Sequence, residues 1–249
     1  MTGVIFDCKR FAVHDGEGLR TTLFLKGCPL RCPWCQNPEG LRREVQLWHR
    51  QSQCLQCGCC AQACKKGSIS MQPCPVIDRI RCDACGACVT ACPAAAMELC
   101  GKEISAEQAA ALLLRDRVFF GSQGGVTLSG GEALAQPEFA CEVLALCKKA
   151  GVDTAIETSL YAPEETVRRL MPVTDHFLID IKLSTLSGIE PCLALITRRS
   201  SAILSCSATA VRTSLCARRL SPAIRQTQRI CTPSPAILPR ARPGSAMSF

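Results

Sequence analysis

Apolar and polar positions run in two different rhythms along this chain. From Ser105 onward the pattern is regular. "SAEQAAALLLRD" opens with Ser105 and Gln108 in a capping-box relation and continues with strong helix formers, which predicts a helix. "GGVTLSGG" reads as a short strand ending in glycines. "PEFACEVLALCKKAG" reads as a helix with Pro137 in its first turn and Gly151 just past its end. "VDTAIE" predicts a strand, "PEETVRRLM" a helix and "HFLIDIKL" a further strand. With "LRTTLFLKG" at 19–27 as a buried strand, four strands precede residue 184. Strand follows helix at roughly 25-residue intervals, the rhythm of βαβ units on a parallel sheet and hence of an α/β fold. Chemistry in such folds gathers at the carboxyl ends of strands. Residues 54–92 break the rhythm: they show little aliphatic periodicity and are punctuated by cysteine, which predicts a compact insert organised by metal.

Composition sharpens this picture. The 249 residues are 47% hydrophobic and suffice for one ordinary core plus a small insert. No apolar run reaches the ~18–20 residues needed to span a bilayer and no leader pattern opens the chain, so the expectation is a soluble cytoplasmic protein. Cysteine is the outlier, at 21 copies. In a reducing compartment, clustered cysteines are metal ligands before they are disulfides. Eleven of them fall into three spaced groups. Cys8, Cys59, Cys74, Cys100, Cys141 and Cys147 stand outside these groups and read as small core hydrophobes or bystanders.

The net charge of +8 is not spread over the chain. Residues 184–249 carry nine Arg, one Glu and no Lys or Asp, so 9 − 1 = +8, which leaves residues 1–183 neutral. This tail lacks Tyr, Trp, His and Asn, and its composition breaks abruptly after "FLIDIKL". A basic arm for RNA or a membrane surface would mix Lys with Arg and omit stretches such as "CLALI" and "PAIL". The tail therefore reads as disordered or as translated past a reading-frame error, and nucleic acid is not the expected partner.

Cys54, Cys57, Cys60 and Cys64 follow C-x2-C-x2-C-x3-C, and so do Cys82, Cys85, Cys88 and Cys92. This is the bacterial ferredoxin spacing for two [4Fe–4S] clusters, in which the fourth Cys of each run ligates the other cluster. By that rule Cys54, Cys57, Cys60 and Cys92 hold one cluster, and Cys82, Cys85, Cys88 and Cys64 hold the second. A pair of zinc sites rarely repeats a third Cys at x2 and a fourth at x3. The role expected is electron relay or structural support.

The third group, in "GCPLRCPWCQNPEG", is Cys28, Cys32 and Cys35. Three thiolates on a cubane leave one iron open, as a catalytic zinc keeps one position for its substrate. The C-x3-C-x2-C spacing resembles the signature of radical S-adenosylmethionine (SAM) enzymes. "HDGEGLRTTLFLKGCPLRCPWCQNPEG", "GGVTLSGGEAL", "AIETSLYAP" and "LIDIKL" resemble, in order, the motifs of glycyl radical enzyme activating enzymes, the pyruvate formate-lyase activase type with a two-cluster ferredoxin insert. The similarity covers residues 3 to about 183.

The resemblance implies a partial (β/α)6 radical SAM barrel. Its start would be residues 1–49, its ferredoxin-like insert 50–100, its continuation 101–183 and its tail 184–249. It implies three [4Fe–4S] clusters, one of which binds SAM. An electron cleaves SAM there, and the resulting 5′-deoxyadenosyl radical takes a Cα hydrogen from a glycine of a partner glycyl radical enzyme. Reduced flavodoxin or ferredoxin would supply the electron. Trp34 and Gln36 would lie against the adenosyl group. Gly130, Gly131 and Glu132 would contact the methionine moiety, with Glu132 pairing with its ammonium. Glu157, Thr158, Asp180 and Lys182 would lie near the SAM carboxylate, the ribose and a bound monovalent cation.

Each of these residues also has a plainer reading. Glu132 suits the first turn of the helix that follows, and Glu157, Asp180 and Lys182 suit solvated strand ends. His14 and His49 carry no assigned chemistry, and His176 reads as a strand-end surface residue. The chain departs from the family at Gly16-Glu17-Gly18, where the family has Gly-Pro-Gly, and at Ala133, where it has Pro. Its later motifs are not found in 184–249. Two other readings therefore stand beside the activase: a ferredoxin-like electron-transfer module, which leaves "GCPLRCPWC" and "LSGGEAL" unexplained, and an inactive product of a damaged activase gene.

Overall fold

A computed structural model describes residues 1–181 and 201–206. The chain opens with β1 (Thr2–Ala12), which pairs antiparallel with β2 (Arg20–Leu25). The cysteine loop follows, then β3 (Gln46–His49), α1 (Cys59–Ala63), β4 (Ile69–Gln72), β5 (Cys74–Ile77), α2 (Ala87–Thr90) and β6 (Met97–Cys100). β7 (Lys102–Ser105) returns to the large sheet beside β1. α3 (Ala106–Leu114), β8 (Gly125–Gly130), α4 (Pro137–Lys149), β9 (Asp153–Thr158), α5 (Glu164–Leu170) and β10 (His176–Ile181) then alternate. Last comes β11 (Ser201–Cys206), parallel to β10, in the segment whose composition predicts an aberrant tail.

The strands order as β11-β10-β9-β8-β2-β1-β7. β2, β8, β9, β10 and β11 are mutually parallel neighbours, and β1 and β7 close one edge antiparallel. β2, β8 and β9 are buried along most of their length, β8 from Gly125 to Ser129 without a break, as expected where helices cover a parallel sheet. α3 presents Ala106, Ala109, Ala110 and Leu113, and α4 presents Phe139, Ala140, Val143, Leu144 and Cys147, each a stripe at helical spacing.

Local chemistry sets the helix ends. Ser105 Oγ accepts from Gln108 N at 3.2 Å while Gln108 Oε1 accepts from Ser105 N at 3.0 Å, the capping box predicted for α3. Pro137 begins α4, and Gly151 follows it at φ +75°, its N–H meeting Lys148 O at 2.9 Å. The "GEG" turn needs both of its glycines, at φ +124° for Gly16 and +67° for Gly18. It leads into Arg20, where β2 begins opposite Gly125 of β8, so it lies at the amino end of the parallel strands.

Residues 46–100 form a separate small unit. β3 pairs with β6, and β4 with β5, both antiparallel. Leu47, Cys60, Ile69, Cys88 and Met97 make its buried core, against a core of 24 buried residues in the α/β part.

Candidate functional site

Because β2, β8, β9 and β10 run parallel, their carboxyl ends bring four motifs to one edge of the sheet. Leu25 pairs with Gly130, so the cysteine loop and the "GGE" turn leave the sheet at the same level. Hydrogen bonds then lock the two together. Gly131 N donates to Leu25 O at 2.9 Å, Glu132 N to Gly27 O at 2.8 Å, and Gly27 N to Gly40 O at 2.7 Å. Both glycines of the turn are required by this approach. A Cβ on Gly131 would fall 2.4 Å from Gly40 O, and one on Gly130, at φ +119°, would fall 2.3 Å from Leu25 O.

Cys28, Cys32 and Cys35 lie on the loop between Gly27 and Gly40, all partly exposed. Cys35 N donates to Cys32 O at 3.1 Å and Cys28 N to Leu41 O at 3.1 Å, so the loop turns back at both ends. Burial raises the Cys28 thiol, and Glu132, Cys32 and Cys35 add to the rise against one backbone hydrogen bond. Trp34, 49% exposed, and Gln36 stand on the outer side of the loop, free to meet a ligand laid over it.

Glu132 is buried at 2% exposure. Its Oε1 accepts from Leu134 N at 3.1 Å and Thr158 Oγ1 at 2.6 Å; its Oε2 accepts from Ser159 N at 3.0 Å and Ser159 Oγ at 2.6 Å. It caps the 3-10 turn at Ala133–Ala135, so the plainer reading holds for one of its four bonds. Ser129 Oγ donates to Glu157 Oε2 at 2.5 Å. Asp180 lies on β10, partly buried, and Lys182 lies outside the described residues.

Four residues that sequence reasoning missed support this edge. Ser129 and Ser159 sit inside recognised motifs, but only the fold aims their hydroxyls at Glu157 and Glu132. Lys26, fully buried, donates to Glu39 O at 2.5 Å and reaches Cys100 Sγ at 3.6 Å, tying β2 to the far side of the cysteine loop and to the end of the small unit. Gln136 Nε2 donates to Val4 O at 2.7 Å and to Lys26 O at 2.8 Å, and its Oε1 accepts from Val4 N at 2.9 Å. Lys26 had a signal, a lysine directly before "GC" in a buried strand. The other three had none.

The two quartets fold as a repeat. Gln56 and Gly58 take φ +55° and +77°; Ala84 and Gly86, 28 residues on, take +54° and +80°. Each glycine opens a one-turn helix, α1 or α2, carrying a buried cysteine, Cys60 or Cys88. Ser68 N donates to Cys64 Sγ at 3.3 Å and Ala96 N to Cys92 Sγ at 3.2 Å, again at matching positions. One cleft is lined by Cys54, Cys57, Cys60 and Cys92, and another by Cys64, Cys82, Cys85 and Cys88. The fourth cysteine of each run thus lines the other run's cleft. Among the described residues no three His, Cys, Asp or Glu side chains converge tightly enough to hold a single metal ion. His49 lies in the small unit opposite Met97, its buried Nε2 without a partner among the described residues, and His176 pairs with Asp153 at 2.8 Å.

Three thiols on a loop locked to a glycine-rich turn at parallel strand ends belong to one class of protein. Residues 22–185 match the radical SAM superfamily, and the chain is a member of it. Its relatives narrow the class. It is 47% identical over 186 residues to the (2S)-3-sulfopropanediol sulfolyase activating enzyme of Bilophila wadsworthia (strain 3_1_6), covering 73% of this chain and 62% of that one. It is 37% identical over 194 residues to the indoleacetate decarboxylase activating enzyme of Tractidigestivibacter scatoligenes, covering 74% and 62%. It is 41% identical over 184 residues to the choline trimethylamine-lyase activating enzyme of Oleidesulfovibrio alaskensis (strain ATCC BAA-1058 / DSM 17464 / G20), covering 72% and 59%. The chain therefore spans about three fifths of the length of these relatives. Among the described residues no helix is long and apolar enough to cross a membrane.

Proposed function

We propose that this chain is built to activate a glycyl radical enzyme. The observation that carries this reading is the backbone lock joining Gly27, Gly40 and Gly131, which fixes a three-thiol loop beside a buried carboxylate at the strand ends. The donor set suits the group. Cys28, Cys32 and Cys35 would hold three irons of a [4Fe–4S] cluster, and the open iron would take the amino and carboxylate groups of SAM. When loaded, the cluster and SAM would supply one-electron reductive cleavage of the sulfonium and removal of one hydrogen atom from a glycine Cα.

The residues of the chain do the positioning. Glu132 and Glu157 bring carboxylates to the edge where the ammonium and a monovalent cation would sit. Trp34 and Gln36 would cover the adenosyl group and exclude water. Asp180 and Lys182 would meet the ribose and the SAM carboxylate.

The crossed lining of the two clefts supports the ferredoxin reading of the small unit. Cys54, Cys57, Cys60 and Cys92 would hold one cluster, and Cys64, Cys82, Cys85 and Cys88 the other. Both would relay electrons from a reduced flavodoxin or ferredoxin in the cytoplasm. Anaerobic reconstitution should load about twelve Fe per chain, three clusters of four. Replacing Cys28, Cys32 and Cys35 together with Ala should remove one third of that iron and all formation of 5′-deoxyadenosine. Zinc in place of iron, or SAM cleavage surviving the triple substitution, overturns the reading.

A further inference from the structure

We infer that Ser159 is a positioning residue that sets SAM affinity through Glu132, and this rests on the function proposed above. A carboxylate that is 2% exposed needs partners for both its oxygens and its charge. Glu132 has the first in full: two hydroxyls and two amides, all neutral donors. Such bonds fix its orientation beside the cysteine loop, to which Glu132 N is also tied through Gly27 O at 2.8 Å. In the function proposed above, the ammonium of SAM supplies the partner for its charge.

Ser159 has a special part in this. It supplies both bonds to Oε2, from its amide at 3.0 Å and its hydroxyl at 2.6 Å. A serine's amide and hydroxyl lie close enough in one rotamer to meet a single oxygen, and the next residue then redirects the chain. Leu160, fully buried, takes φ +60°, a left-handed conformation that costs a non-glycine residue energy. Thr158 Oγ1 braces it by accepting from Leu160 N at 2.9 Å, and Ser159 Oγ accepts from Tyr161 N at 3.4 Å. A left-handed residue thus directly follows the one whose amide and hydroxyl meet Glu132. From Glu132 the hold passes through Glu132 N and Gly27 O to the base of the cysteine loop. The β9 end thereby orients the carboxylate and steadies the loop with one residue.

The test measures SAM affinity in the reconstituted full-length chain without reductant, so that no turnover occurs. Equilibrium dialysis with SAM should give a Kd on the order of tenfold weaker for Ser159→Ala, the effect of one hydrogen bond to a charged group. Iron per chain should stay unchanged. Ser159→Thr, which keeps the hydroxyl, should restore most of the affinity. In a Glu132→Gln background the Ser159→Ala loss should shrink, because the two act as one unit. Ser159→Gly, which keeps the amide, reports the hydroxyl if the alanine variant fails to fold. An unchanged Kd in the Ala or Gly variant, or a loss that adds fully to that of Glu132→Gln, overturns the positioning role while leaving the function intact. Iron-loaded wild-type chain that binds no SAM overturns both.

Discussion

The α/β part and the small cysteine-rich unit use the same residue type for opposite ends. Cys147 is fully buried on α4, and burial pushes its thiol up to about 12, so it is an inert filler of the core. Cys64 sits at the end of a one-turn helix, and the Ser68 hydroxyl and nearby backbone N–H groups lower its thiol, which favours the thiolate a metal needs. The difference extends to whole regions. Among the described residues the α/β part has 24 buried core residues, whereas the small unit has five, two of them cysteines proposed as iron ligands. Small units with so little apolar core normally depend on metals or disulfides. One region is held by what it keeps from water; under the proposed function the other would be held by what it binds.

The largest expected effect breaks that comparison directly. Stripping iron with a chelator under reducing conditions should unfold residues 46–100 and leave the sheet folded, since metal binding in such units is folding free energy. Limited proteolysis with mass spectrometry should then show cuts confined to that range, all suppressed on reconstitution. A small unit that resists protease without iron would mean that its hairpins and five core residues suffice.

The two regions also differed in how much their sequences disclosed. In the α/β part, spacing and capping announced α3, α4, β8, β9 and β10, because each buries a face through a local period. β1 was not legible. Its burial does not alternate cleanly, Lys9 and Arg10 adjoin, and Phe11 takes φ +56°, so only pairing with β2 and β7 defines it as a strand. β7 was hidden for the same reason, as four residues whose partner lies 100 positions away. In the small unit the case is reversed. Its hairpins were illegible, but its thiols were announced outright, because ligand spacing is fixed by the metal and not by the fold. The site shows both limits: Glu132 and the glycines were readable from a motif, while Ser159 and Gln136 act across the fold with no local trace.

A second prediction sharpens the role of burial in the sheet. Arg20 is fully buried, and its Nη2 lies 2.7 Å from Asp153 Oδ1, while Asp153 Oδ2 meets His176 Nε2 at 2.8 Å. Burial would push the Asp153 carboxyl up, but its bonds from His176 and Arg20 outweigh this and hold it below the usual range. The bond to Asp153 raises His176 against the pull of burial. Asp153→Asn removes the charge partner of a guanidinium that keeps its bonds to Thr127 Oγ1, Val126 O and Glu17 O, and should cost about 3 kcal/mol, the low end of the range for breaking a buried pair, since Asp153 is itself partly exposed. The loss should depend on pH. The carboxylate contribution is full above its ordinary value of about 4 and fades as pH falls through its depressed folded value. The imidazole contribution is full below about 6.5 and fades as pH rises through its raised folded value. The gap between wild type and variant in urea midpoint should therefore be widest between about pH 4 and 6.5. A gap that is flat with pH would show that the ion triad contributes packing and not charge.

The smallest effect tests the junction where the small unit returns to the sheet. Ser105 ends β7, opposite Thr2 of β1, and also caps α3, so one residue closes the sheet edge and starts a helix. Its capping box satisfies two backbone N–H groups that the helix start would otherwise leave to water, its own and that of Gln108. Ser105→Ala should cost about 1 kcal/mol, within the usual span for losing an N-cap. Gln108→Ala should cost less, and the double variant less than the sum, because the two bonds close one reciprocal ring. The measurement is urea unfolding followed by far-UV circular dichroism, with iron counted on the same samples. The midpoint should fall while iron per chain holds, because α3 packs on the α/β core and touches none of the assigned ligands. Iron lost in step with the midpoint would mean that the two regions unfold as one, and that the thiol-bound unit leans on the apolar core after all.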